Sequence, residues 1–203
     1  MEVKYQNLVD AMHQINIDLQ DNQDYLSSLD QAIGDGDHGF NMVRGFVKVA
    51  EIRPNNLDLS GYLNQVGRTL MSVVGGASGP LYGMAFLQSG NTLRGSEKFD
   101  LVEFKTLIET FAASLEKLGR ASLNEKTMYD VWKPLASYLE NKNNLQQKEK
   151  DNLIEFVKSL SDKTKEMQAN KGRASYLKER SIGTVDPGSY SSYLILKNLI
   201  KVL

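Results

Sequence analysis

Asp30, Asp35 and Asp37 fall within the run Leu29-Asp30-Gln31-Ala32-Ile33-Gly34-Asp35-Gly36-Asp37-His38-Gly39-Phe40-Asn41-Met42, and no Lys or Arg stands between Lys4 and Arg44. Three like charges held close together resist ionising at once, so such a cluster recruits a cation. Oxygen-only ligands favour a hard ion, Mg2+ or Ca2+, over zinc. A solvated Asp-Gly turn that caps the following helix accounts for the same residues. Spacing alone leaves both readings open.

Three familiar motifs are excluded on chemistry. Gly34-x-Gly36-x-x-Gly39 has dinucleotide-fingerprint spacing, but that motif needs a preceding strand and bare amides. Here a helical pattern precedes it, and two of its variable positions are aspartates that repel phosphate unless a metal intervenes. Gly34-x4-Gly39 opens like a Walker A loop, yet Phe40-Asn41 replaces the required Lys-Ser/Thr. Asp35-x-Asp37 opens like an EF-hand, whose twelfth position would be Phe46 instead of a bidentate Glu. A metal bridging carboxylates to phosphate fits the stretch better, since Mg2+ is commonly held by a few carboxylates plus nucleotide phosphates.

Two further loops could join such a site. Gly75-Gly76-Ala77-Ser78-Gly79-Pro80 combines small residues, a hydroxyl and a proline suited to a first helical turn. Alone it reads as a helix hairpin; beside an acidic metal loop it reads as a phosphate cradle. Gly183-Thr184-Val185-Asp186-Pro187-Gly188-Ser189 is a turn by composition, opening onto the last helix and so onto a possible anion contact. No Ser-His-Asp or Cys-His arrangement is evident. His38 reads as a phosphate contact and Arg173 as a phosphate clamp or a surface ion pair.

The elements that must position these loops are helices. Tyr5, Leu8, Val9, Met12, Ile15 and Leu19 predict a helix over 2–20; Tyr25, Leu26 and Leu29 predict a second one, capped by Asp21 or Asn22. Asp30 then falls near a helix C-terminus, where the macrodipole disfavours an anion and invites a cation. A third helix carries Phe40, Val43, Phe46, Val47 and Ala50, its free N-terminal amides aimed at the acidic loop. A fourth starts at Asp58 or Ser60. Asp100-x-x-Glu103 resembles a capping box before a long helix stopped by Gly119. Further helices carry Met128 to Leu139, with Pro134 near the start or at a kink, and Leu153 to Leu160. The charged stretch 163–178 reads as irregular, and a final apolar helix covers 191–203. Eight or nine helices without a strand run predict an all-α bundle.

Composition narrows the function classes. The 203 residues carry a net charge of -1, 41% hydrophobic and 24% charged residues, and no cysteine. That length suits one domain or a compact pair. The charge argues against a nucleic-acid partner. The lack of cysteine excludes thiolate chemistry and fits a reducing cytoplasm, and the first residues lack a signal-peptide core. The uncharged run from Thr69 to Leu93 is long enough to cross a bilayer, but its Gly-Gly-Ala-Ser-Gly-Pro centre would leave backbone groups unsatisfied in lipid. A buried helix, loop and helix is expected instead, with no membrane partner.

Taken together, the chain resembles the nucleotide-binding (L) subunit family of dihydroxyacetone kinases. The matching motifs are Ile33 to Gly39 with Asn41, Gly75 to Gly83, Lys126-Thr127-Met128-Tyr129-Asp130, Gly172-Arg173-Ala174-Ser175-Tyr176-Leu177 and Asp186-Pro187-Gly188, in the family's order over most of the chain. The resemblance implies a single domain over 1–203, a barrel of about eight antiparallel amphipathic helices with the nucleotide at one end. It implies two Mg2+ ions held by Asp30, Asp35 and Asp37, and ADP or ATP beside His38, Gly39, Phe40 and Asn41, with Ala77 and Ser78 in the second loop. Gly119 and Met128 would line the adenine and ribose side, and Arg173, Asp186, Pro187 and Gly188 would close the site. Asp30, Asp35, Asp37 and Arg173 would carry catalysis. Phe40 replaces a usual small residue, and Ser189-Tyr190 replaces the small residues usual after Asp-Pro-Gly.

The implied reaction is phosphoryl transfer to dihydroxyacetone held on a separate subunit, which binds it covalently through a histidine. Stand-alone versions resemble the phosphotransferase-system-dependent type, in which ADP stays bound and is rephosphorylated by a multi-phosphoryl protein. Two other outcomes share the same machinery: a nucleotide-loaded module controlling a transcription factor, and a kinase subunit for another carbonyl or acyl substrate.

Overall fold

The computed structural model describes residues 3–203, so the first position of the predicted opening helix, Glu2, lies outside the described residues. Among those described there are no strands, and the α-helices are α1 (Gln6–Asp21), α2 (Gln23–Ile33), α3 (His38–Ala50), α4 (Leu59–Val73), α5 (Ser78–Thr92), α6 (Leu101–Gly119), α7 (Tyr129–Leu139), α8 (Gln147–Lys163) and α9 (Pro187–Lys201). Short 3-10 turns cover Thr164–Glu166 and Arg173–Ser181 inside the stretch expected to be irregular, the second kinked at Lys178. None of the helices is long and apolar enough to cross a membrane.

Chain order and packing together close a ring. Apart from α2, each helix packs on the next from α1 and α3 round to α9, and α9 returns to α1; α2 lies against α3 and α9. Apolar stripes at helical spacing turn inward, from Leu8, Met12 and Ile15 on α1 to Ile195, Leu196 and Leu199 on α9, all fully buried. At the centre Trp132 stacks on Phe111 with ring centroids 3.6 Å apart, and Phe86 meets Phe111 edge-on at 5.2 Å. The uncharged run forms the last turn of α4, a four-residue loop and α5, packed as a close hairpin. A Cβ on Gly67 would lie 2.6 Å from the Gly83 carbonyl oxygen, so only glycine lets these two backbones meet.

Helix ends follow the expected chemistry in part: α1 starts at Gln6 and not at residue 2, Asn22 precedes α2 without a side-chain capping bond, and three further features differ from expectation. Asp58 caps α4 by accepting from the Gly61 amide at 2.7 Å, and Asp100 with Glu103 forms the capping box of α6. The left-handed residue that ends α6 is Arg120, at φ 48°, and not Gly119, which is still helical. Pro134 sits in the middle of α7 and not near its start. The last helix begins at Pro187 and not at Ser191, because the Asp186 carboxylate accepts from the Ser189 amide at 2.7 Å and proline presets the first helical φ.

Candidate functional site

At one end of the ring a cleft of about 660 Å³ gathers the loops singled out in the sequence. It is lined by the C-terminal end of α2, the turn from Gly34 to Asp37, the N-terminal turns of α3, α5 and α9, the C-terminal end of α6, the segment from Ala121 to Tyr129, and residues 171–174. Three helix N-termini therefore open onto one space, each with a partial positive charge and spare amides. That volume is ordinary for a small-molecule site.

Asp30, Asp35 and Asp37 line it, and each presents a carboxylate oxygen within 4.8 Å of the others. Asp30 is half-buried and the other two are exposed. Its Oδ2 accepts from the His38 amide at 3.1 Å, which pins the start of α3 to the end of α2. Because Asp30 lies in the last turn of α2, the helix dipole adds to the negative field of the cluster. The donor set, all carboxylate oxygens in a compact group, suits Mg2+. Arg173 crosses from the 3-10 segment to pair with Asp35.

The neighbouring residues divide into those that face the cleft and those that support it. His38 lines it but is buried. Its Nε2 meets Ser191 Oγ at 2.9 Å and its Nδ1 meets Ser78 Oγ at 3.2 Å, so the ring ties α3 to α5 and α9. Burial holds its pKa down at about 4, against the opposing pull of Asp37 and the Pro187 carbonyl, so the ring is neutral near pH 7. Asn41 lines the cleft, with Oδ1 accepting from Arg44 at 3.1 Å. A Cβ on Gly75 would come within 2.8 Å of that oxygen.

Gly39 and Phe40 are not brought into the lining. A Cβ on Gly39 would lie 2.2 Å from the Gln23 carbonyl oxygen, so this glycine serves the close crossing of α2 and α3. Phe40 turns outward, and the Arg44 guanidinium lies 5.6 Å from its ring centroid. Ala77 and Ser78 at the start of α5, Gly119 and Met128 on the opposite wall, and Asp186, Pro187 and Gly188 at the start of α9 all line the cleft. Tyr82 Oη donates to the Gly188 carbonyl at 3.0 Å and holds that last turn in place.

The wall away from the carboxylates is apolar. Leu81, Leu115, Leu118, Gly119, Ala121 and Met128 line it there with apolar surface. The family resemblance implies Gly119 and Met128 on this wall but not the leucines, since helical periodicity does not separate a cleft wall from a core. It also leaves Lys126 and Asp130 without a role. Lys126 lines the cleft yet is 2% exposed, and its ammonium donates to the carbonyls of Thr164, at 2.6 Å, and Thr184. Asp130 accepts from the amides of Asn124 at 2.5 Å and Thr127 at 2.8 Å, bracketing Lys126. The available signal was an aspartate just inside a helix, six residues after an asparagine in a polar turn. Burial pushes Asp186 up to about 7, opposed by the Ser189 amide and by Lys126.

Comparison with known proteins bears on the family and the fold. The DAK2 domain matches residues 32–201. The chain is 44% identical over 185 residues to the PEP-dependent dihydroxyacetone kinase 1, ADP-binding subunit DhaL, of Listeria innocua, covering 90% of this chain and 89% of that one. It is 40% identical over 198 residues to the PTS-dependent dihydroxyacetone kinase, ADP-binding subunit DhaL, of Lactococcus lactis, covering 96% of each. Its fold superposes on the crystal structure of the dihydroxyacetone kinase from C. freundii in complex with AMP-PNP and Mg2+, with a TM-score of 0.72 and 24% identity, over 95% of this chain and 33% of that one. This chain thus spans about a third of that longer protein.

Proposed function

The chain belongs to the DAK2 domain family, and we propose that it is the ADP-binding subunit of a phosphotransferase-system-dependent dihydroxyacetone kinase. In this reading residues 1–203 act as one nucleotide-binding unit. It works with a separate subunit that holds dihydroxyacetone and with a multi-phosphoryl protein that recharges the bound ADP. The relatives' names support the activity, and the cleft supports the chemistry. The observation that carries the reading is the meeting of three carboxylate oxygens, all within 4.8 Å of one another, with three helix N-termini in one cleft.

Each part then has a role. Asp30, Asp35 and Asp37 hold Mg2+, and Mg2+ when bound supplies the positive charge that lets phosphate oxygens lie beside carboxylates. Amides at the starts of α3, α5 and α9 receive the remaining phosphate charge. Ser78 adds a hydroxyl and Arg173 a guanidinium fork, which suits phosphate when it leaves Asp35. The apolar wall of Leu81, Leu118 and Met128 takes the base and fixes the nucleotide's orientation. Phosphoryl transfer asks little covalent chemistry of the protein; alignment and electrostatic stabilisation carry it. His38 is neutral and tied on both ring nitrogens, so it acts as a strut and not as a nucleophile.

Titration calorimetry with ADP tests the binding half of this reading. With Mg2+ present, one ADP should bind per chain; with EDTA, affinity should fall by about 100-fold or more, the scale of losing a charge-bridging contact of about 3 kcal/mol. Equal affinity under both conditions would overturn it. For the transfer half, reconstitution with a dihydroxyacetone-binding subunit and a phosphorylated donor should yield dihydroxyacetone phosphate; a nucleotide-loaded chain that never transfers would favour a regulatory role.

A further inference from the structure

Lys126 stands out among the buried polar groups that the proposed mechanism does not use. It is 2% exposed. Its backbone is left-handed, at φ 59°, although it is not glycine. Its two ammonium contacts are both neutral carbonyls, those of Thr164 and Thr184, and among the described residues no carboxylate pairs with it. A buried cation without a direct counter-charge and a left-handed side-chain-bearing residue each cost stability. The fold sustains both at a residue that lines the cleft.

The surroundings explain how it is held. Asp130, on α7, fixes the turn from Asn124 to Thr127 through two backbone amides. The carbonyl acceptors come from the end of α8, at Thr164, and from the loop before α9, at Thr184. Thr164 Oγ1 in turn accepts from the Asp186 amide at 2.9 Å, and it lies 3.2 Å from Ser189 Oγ. One ammonium therefore joins the segment carrying Thr127 and Met128 to the turn carrying Asp186, Pro187 and Gly188. These two segments pack together, a Cβ on Gly188 falling 3.3 Å from the Met128 methyl, and form one continuous stretch of the cleft lining.

We propose that Lys126 is a positioning residue for the nucleotide: its ammonium holds the Met128 segment against the Gly188 turn as one wall of the cleft and supplies a positive charge beside Asp186. This rests on the ADP-binding reading above. Asp186 is faced by Lys126 from its turn, by Asp130 on α7, by Asp30 on α2 and by Tyr82 on α5. Lys126 is the cation of that set, and its charge keeps the capping carboxylate of α9 ionised over a wider pH range.

The test compares Lys126→Met, which keeps the stem and loses the charge, with Lys126→Arg, which keeps charge and donors. ADP affinity with Mg2+ present should weaken about 30-fold in Lys126→Met and stay within about threefold in Lys126→Arg, as expected for loss and retention of charged hydrogen bonds. The pH profile of ADP binding should move to higher pH in Lys126→Met, because Asp186 loses its neighbouring cation. A purely structural lysine would lower Tm while leaving affinity and pH profile unchanged, and that result overturns the proposal. Should Lys126→Met fail to fold, the 15Nζ resonance of Lys126 in the wild-type chain decides. A shift on adding ADP with Mg2+ supports the proposal, and an unmoved resonance overturns it. A wild-type chain that binds no ADP removes the nucleotide reading and this one together; normal wild-type binding matched by Lys126→Met removes this one alone.

Discussion

The two ends of the cleft are built on opposite plans. At the acidic end, Asp30, Asp35 and Asp37 come from the last turn of α2 and the loop after it, two of them exposed, and among the described residues the ion pair opposing their charge is that of Arg173 with Asp35. At the other end, Leu81, Leu115 and Met128 come from distant parts of the chain, and the cation beside them, Lys126, is satisfied by the carbonyls of Thr164 and Thr184. The acidic end needs a charge from outside to do anything. The apolar end is complete in itself. Ligand binding and folding should therefore separate at the first and stay linked at the second.

The largest expected effect breaks the acidic end alone. Asp35→Asn or Asp37→Asn should weaken Mg2+-dependent ADP binding by about 100-fold while Tm changes little, since removing a surface charge seldom moves stability by more than about 0.5 kcal/mol. Calorimetry beside a thermal melt checks this. Equal losses in both would make the turn merely structural. Gly119→Val attacks the other end. A Cβ there already comes within 3.4 Å of Leu81 Cδ2, so the larger side chain crowds the apolar wall. ADP affinity should fall about tenfold and inorganic pyrophosphate affinity should not, a contrast of about 1.4 kcal/mol confined to the base.

A smaller effect is expected from Arg173→Ala. The guanidinium and Asp35 are both largely exposed, so their pair adds little stability. Tm should stay put while ADP binding weakens by about five- to tenfold, as for one screened charge-assisted contact. The smallest effect lies in pH dependence, measured by urea unfolding with EDTA present. His38, depressed to about 4 by burial, contributes stability that is present above its ordinary value of 6.5 and lost as pH falls toward 4. Asp186, raised to about 7, works in the opposite sense: its native carboxyl holds a proton that the unfolded chain has released, so its contribution declines as pH climbs from about 4 to about 7. Asp186→Asn should therefore steepen the rise in stability between pH 4 and 6.5, and an unchanged slope would show that the two groups do not oppose one another.

How much of this was legible in the sequence follows from the same contrast. The acidic turn and the loops at Ser78 and Asp186 are short runs of telling residue types, each open to a plain turn reading when taken alone, and the structure brings them to one cleft. Helices with strong stripes and caps, such as α4 after Asp58 and α6 after Asp100, were readable for the same reason. Gly39 was not, because its need for a bare backbone comes from the Gln23 carbonyl on another helix. Nor was Arg120 as the left-handed end of α6, where Gly119 next to it carries the usual signal. Nor was the role of Lys126, since burial of a lysine in a polar turn depends on carbonyls 38 and 58 residues away.

The central claim is that a divalent ion joins the aspartate cluster to the phosphates of the nucleotide, and phosphorus NMR of bound ADP with Mn2+ replacing Mg2+ tests it most directly. The account predicts severe paramagnetic broadening of the ADP phosphorus signals in the wild-type chain, relieved in Asp35→Asn. Sharp phosphorus lines from ADP that is bound while Mn2+ is also bound would contradict it.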